Sequence, residues 1–81
     1  MYRAYFTTAE PTTGKKLSSI VAKAYGKTYG YTLFGESPWA TAQGRVLSAR
    51  GEIVGTILRV ENSKGEPVNG AELAEADRQA R

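Results

Sequence analysis

The chain has 81 residues, eleven basic and eight acidic side chains, a net charge of +3, and neither cysteine nor histidine. A chain of this length makes one small domain that buries about 60–65% of its unfolded surface, so a single modest core is expected. The missing residue types exclude a disulfide framework, a thiolate metal site and every histidine-based catalytic arrangement.

Residues 2–8, YRAYFTT, alternate Tyr2, Ala4 and Phe6 against Arg3, Tyr5 and Thr7, which predicts a strand. The AEPTTG segment breaks it and offers Thr12 or Thr13 as a helix N-cap. A helix is then expected over about 13–26, with Leu17, Ile20, Val21 and Ala24 at the spacing of one apolar face. Gly26 stands where that pattern stops and is the expected C-cap.

The aromatic stretch YGYTLFGESPWATAQGRV, residues 29–46, reads as two antiparallel strands around a GESP loop. That pairing sets Phe34 against Trp39, Tyr31 against Ala42 and Tyr29 against Gly44. Tyr29, Tyr31 and Leu33 then share a face with Ala40, Ala42, Gly44 and Val46, large residues against small ones. Ala49-Arg50-Gly51 suits a three-residue hairpin loop with Gly51 in the left-handed region. Continuing the alternation past it carries the inward face on through Val54, Leu58 and Val60. Asn62–Gly65 is a turn, and Pro67 limits any strand after it.

The tail NGAELAEADRQAR has helical composition, acids early and arginines late, with Asp77 in reach of Arg81. Leu73 is its only large apolar residue, so weak docking or fraying is expected. The reading is an α+β domain of order β-α-β-β-β-α: a three-stranded meander plus an N-terminal strand, one helix on one face, and a C-terminal helix. Residues 1–68 form the compact part, and 69–81 the acidic Ala/Glu-rich helix or partly frayed tail.

Several motifs resemble chemistry without its context. Gly26-Lys27-Thr28 matches the end of a phosphate-binding loop, yet Val21 stands where the first glycine belongs, and a helix precedes rather than follows it. Ser18 and Ser19 sit beside lysines on a polar helix face, and no two carboxylates are placed to converge. The expectation is therefore no enzyme and no cofactor. The N-terminus has no signal-peptide apolar run, and no segment approaches the roughly 18 apolar residues of a membrane span, so a cytoplasmic location is expected.

Charge and the outward sheet face carry the functional reading. Residues 1–60 have net charge +5 and residues 61–81 net charge −2, and between Pro11 and Gly35 the only charges are Lys15, Lys16, Lys23 and Lys27. On the face opposite the expected core lie Thr28, Thr32, Phe34, Trp39, Thr41, Gln43, Arg45, Leu47, Ile53, Ile57 and Arg59. Aromatic and arginine side chains on one sheet face suit nucleic acid, DNA or RNA, with Phe34, Trp39, Gln43, Arg45 and Arg59 in contact and the four lysines adding field. A protein target is the alternative: a small inhibitor or adaptor, or a homodimer, would use Phe34, Trp39, Leu47, Ile53 and Ile57. In a third reading, the tail helix or the first strand covers this face as a second core. The order α-β-β-β-α from residue 12 is also that of double-stranded RNA-binding domains. Their histidine-bearing loop and lysine-rich last helix have no counterpart in a histidine-free chain whose last helix begins NGAELAEAD.

Overall fold

A computed structural model describes residues 1–35 and 41–79. The elements are β1 (Tyr2–Phe6), β2 (Thr12–Gly14), α1 (Leu17–Tyr25), β3 (Gly30–Leu33), β4 (Gly44–Leu47), β5 (Ile53–Glu61) and α2 (Gly70–Gln79). The α+β class and the order of elements are those expected, with β2 added. All five strands form one antiparallel sheet in the order β2-β1-β5-β4-β3.

The extra strand corrects the expected helix start. Thr12 and Thr13 are β-branched and favour extended backbone; here they pair with Ala4 and Arg3 instead of capping a helix. Helix α1 therefore begins at Leu17, with Lys16 at its N-cap position and no side-chain cap from that residue. Its end is where the pattern placed it: the Gly26 N–H bonds the Ala22 carbonyl at 2.9 Å. Strand β1 lies inside the sheet, antiparallel to β5, because β5 runs for nine residues and offers β1 its Ile57–Glu61 half.

The β3-β4-β5 meander forms as expected, while its register differs in two ways. Tyr31 pairs with Val46 and Leu33 with Gly44. The Phe34 N–H bonds the Gln43 carbonyl at 2.9 Å, so Phe34 faces Gln43 rather than Trp39. The shift from the expected pairing is even, so Tyr31, Leu33, Gly44 and Val46 still share the inward face. Trp39, with the rest of 36–40, lies outside the described residues.

The second difference turns side chains over. The Ala49–Gly51 loop is as read: Ser48 N–H bonds the Glu52 carbonyl at 2.9 Å and Gly51 takes φ +83°. Leu47 faces Ile53, but Val46 faces Gly55, so a β-bulge leaves Val54 as an extra residue. From there the alternation is displaced by one. Ile57, expected on the outward face, is fully buried opposite Gly44; Leu58, expected in the core, is 44% exposed. A second bulge, where Tyr5 faces Arg59 and Phe6 faces Ile57, returns Val60 to the core.

Both helices pack on the same face of the sheet. Leu17, Ile20 and Val21 of α1 and Leu73 of α2 are fully buried with Ala4, Val46, Ile57 and Val60. Each such large aliphatic side chain contributes about 1.5–3 kcal/mol of transfer free energy. Tyr25 adds an edge-on contact to Phe6 (5.4 Å between centroids) and a stacked one to Tyr29 (6.0 Å). The C-terminal helix is thus docked through Leu73. Val68 ties the approach to it, donating to the Val60 carbonyl at 2.9 Å and accepting from Ala42 N–H at 2.7 Å. No described helix is long and apolar enough to cross a membrane.

Candidate nucleic-acid interface

With α1 and α2 on one side, the other side of the sheet has no covering element among the described residues. The second-core reading of this face therefore does not hold. Alternation in β1 turns Ala4 and Phe6 inward, so Arg3 and Tyr5 face outward. Thr32 and the following Phe34 do the same beside β4, whose outward residues are Arg45 and Leu47, with Gln43 just before it. Strand β5 contributes Ile53, Thr56, Leu58, Arg59 and Glu61.

The face is apolar and cationic together. Phe34 is 56% exposed and Ile53 60%, values far from those of a packed core. The Arg45 guanidinium carbon lies 4.9 Å from the Phe34 ring centroid, a cation–π contact worth about 0.5–1 kcal/mol at an exposed site. Arg45 has no ion pair among the described residues. Arg59, two strands from Phe34, bridges to Glu61 at 3.1 Å. A hydrogen bond from the Tyr5 hydroxyl, then the Arg59 guanidinium, holds the Glu61 carboxyl below the ordinary carboxylate range. Among the described residues, three arginines, Arg3, Arg45 and Arg59, thus stand against one carboxylate, Glu61, on this face.

The site residues read from sequence divide into groups. Phe34, Gln43, Arg45, Leu47, Ile53 and Arg59 come together on the open face. Ile57 does not, because the Val54 bulge carries it into the core. Lys15 and Lys16 precede α1, Lys23 lies on it and Lys27 follows it, so the four lysines belong to the helix layer. Lys23 Nζ is used locally, donating to the Thr13 carbonyl at 3.0 Å. Gly26-Lys27-Thr28 follows the end of α1 and precedes β3, the wrong order for a phosphate loop.

Sequence reading missed Arg3, Tyr5 and Leu58 as parts of this face. The alternation in YRAYFTT already set Arg3 and Tyr5 apart from Ala4 and Phe6; only the place of that strand was missing. Leu58 had no such signal, since it depends on a bulge. No group of three or more metal-ligating side chains occurs among the described residues. Chemically, the face offers an aromatic ring, guanidinium groups, and the hydroxyl and amide groups of Thr32, Thr56 and Gln43. No protein-family model, no curated protein and no solved structure matches this chain.

Proposed function

We propose that the protein is a non-enzymatic nucleic-acid-binding module of the cytoplasm, and that the open sheet face is its binding surface. The observation that carries this reading is the exposed Phe34 ring with the Arg45 guanidinium 4.9 Å from its centroid, on a face where arginines outnumber carboxylates among the described residues. Aromatic rings stack on bases, and guanidinium groups both stack and neutralise phosphates. The lysines of the helix layer sit on the far side of the sheet, where salt near 0.1 M screens charges beyond about 10 Å. They steer encounter at low salt, and Lys23, held on the Thr13 carbonyl, makes no contact.

Mobility-shift titrations of the full chain against DNA and RNA at about 50 and 200 mM salt test this reading. Affinity is expected to fall steeply with salt. Arg45→Ala should weaken binding and reduce the salt slope by about one, whereas Lys23→Ala should leave the slope nearly unchanged. No complex with any nucleic acid at low salt would overturn the proposal. The exposure of Ile53 and Leu58 supports a second reading, a protein partner bound by a small inhibitor or adaptor. Nuclease-resistant capture of one partner, lost in Phe34→Ala, would move the assignment there.

A further inference from the structure

We infer that the open face takes single-stranded rather than duplex nucleic acid, with one unpaired base stacked on Phe34; this rests on the nucleic-acid reading above. Three observations support it. First, Phe34 lies immediately after an edge strand, 56% exposed, with Arg45 as its cationic neighbour. A ring displayed on a broad sheet can stack only on a base whose own face is free. In a duplex those faces are occupied by neighbouring base pairs, and reaching them means unstacking a step at a cost of a few kcal/mol.

Second, the same face carries another ring further across the sheet. Tyr5 of β1 is three strands from β3, a separation of about 14 Å at the usual strand spacing. Tyr5 is half-buried, on β1 beside Arg59 of β5. Between the rings lie Gln43, Arg45 and Arg59. The sequence of groups across the strands is ring, guanidinium and amide, guanidinium, ring. That order matches bases alternating with phosphates along an extended strand.

Third, the cations are split. The arginines line the sheet and the lysines flank or occupy α1 on its other side. The molecule measures 31 × 25 × 20 Å. A stiff duplex lies against one side of such a body, while a single strand bends around its edge and meets both cation sets.

The test is fluorescence-anisotropy titration of the full chain with labelled single strands of about 12 nucleotides, in DNA and RNA arms, and with the matching duplexes. Single strands are expected to bind at least roughly tenfold more tightly than duplexes of the same length. Phe34→Ala should weaken single-strand binding by about 5- to 150-fold, the range of one lost base stack, and Phe34→Tyr should restore most of it. An unchanged melting temperature in Phe34→Ala shows that the loss is not unfolding. Duplex binding as tight as single-strand binding overturns this inference and leaves the nucleic-acid reading standing. Binding to neither overturns both. Equal affinity of Phe34→Ala and parent for single strands removes Phe34 as the stacking platform and overturns the inference.

Discussion

The backbone N–H of Leu17, the first residue of α1, donates to Asp77 Oδ1 of α2 at 3.2 Å. Helix α1 has no acidic residue in its first turn and no side-chain cap from Lys16, so its first N–H is satisfied by a carboxylate sixty positions away. The Tyr31 hydroxyl donates to the other oxygen of the same carboxylate, so Asp77 joins both helices to the sheet. A negative charge at that end of α1 also opposes the helix dipole favourably.

Removing this carboxylate should cost what a cap and a second hydrogen bond cost together. Asp77→Ala is expected to destabilise by about 2 kcal/mol, and Asp77→Asn, which keeps an acceptor, by about half of that. In a domain of this size about 2 kcal/mol lowers the melting temperature by roughly 8–16 °C. Thermal melts followed by circular dichroism check it. A change below about 1 °C in Asp77→Ala would show that the clamp carries no weight.

The bulge at Val54 makes a sharp contrast between two isoleucines of one strand. Ile57→Ala opens a hole in the core and should cost about 2–5 kcal/mol, because Ile57 is fully buried. Ile53→Ala should stay within about 0.5 kcal/mol, because Ile53 is 60% exposed. Urea unfolding of both variants decides the register. Similar costs for the two would be incompatible with the observed pairing of Gly44 with Ile57.

Gly44 faces Leu33 across the β3–β4 ladder with no room for a side chain. A Cβ there would fall on the Thr32 carbonyl oxygen and 2.9 Å from the Leu33 Cα, both backbone atoms of the paired strand. Gly44→Ala is therefore expected to destabilise by about 1–3 kcal/mol through overpacking, despite the better strand propensity of alanine. Denaturant unfolding at constant m-value is the measurement. A stabilised variant would mean that β3 and β4 lie further apart.

Acid should weaken the Tyr5–Glu61–Arg59 cluster. The Glu61 carboxyl titrates below its ordinary value of 4.5 in the fold, so its contribution is present above that value and lost as pH falls through the lowered one. The effect is small because the partner Arg59 side chain is 47% exposed, so solvent screens the pair. Glu61→Gln should be less stable than the parent at pH 7, and the gap should narrow as pH falls below 4.5 and through the lowered carboxylate value. Melting curves from pH 7 to 3 follow it. A constant gap across that range would remove the ionised carboxylate as the cause.

Local patterns that need only neighbouring residues were legible. The apolar spacing of Leu17, Ile20 and Val21 marked the buried face of α1, and Gly26 marked its end. The Ala49–Gly51 loop followed from a glycine able to take φ +83°. Of the candidate site, Phe34, Gln43, Arg45 and Leu47 fall on the open face as read because the shift in the β3–β4 pairing is even, Ile53 because it precedes the bulge, and Arg59 because the second bulge of β5 restores the alternation. Ile57 and Leu58 were exchanged because period-2 alternation holds only until an inserted residue, and no local residue type announces the bulge at Val54.

The sequence by itself determined the α+β class, the meander and the cationic, aromatic composition of one sheet face, since these follow from short-range periodicity and turn chemistry. Tertiary structure alone decided that Thr12–Gly14 pairs with β1, that α2 shares the core with α1, and that Asp77 caps Leu17. Each of these is a contact between groups distant in the chain, and each satisfies a backbone or apolar demand that the local residues leave open. Together they send both helices to one side, and so leave Phe34 and Arg45 on the other, with no described element over them.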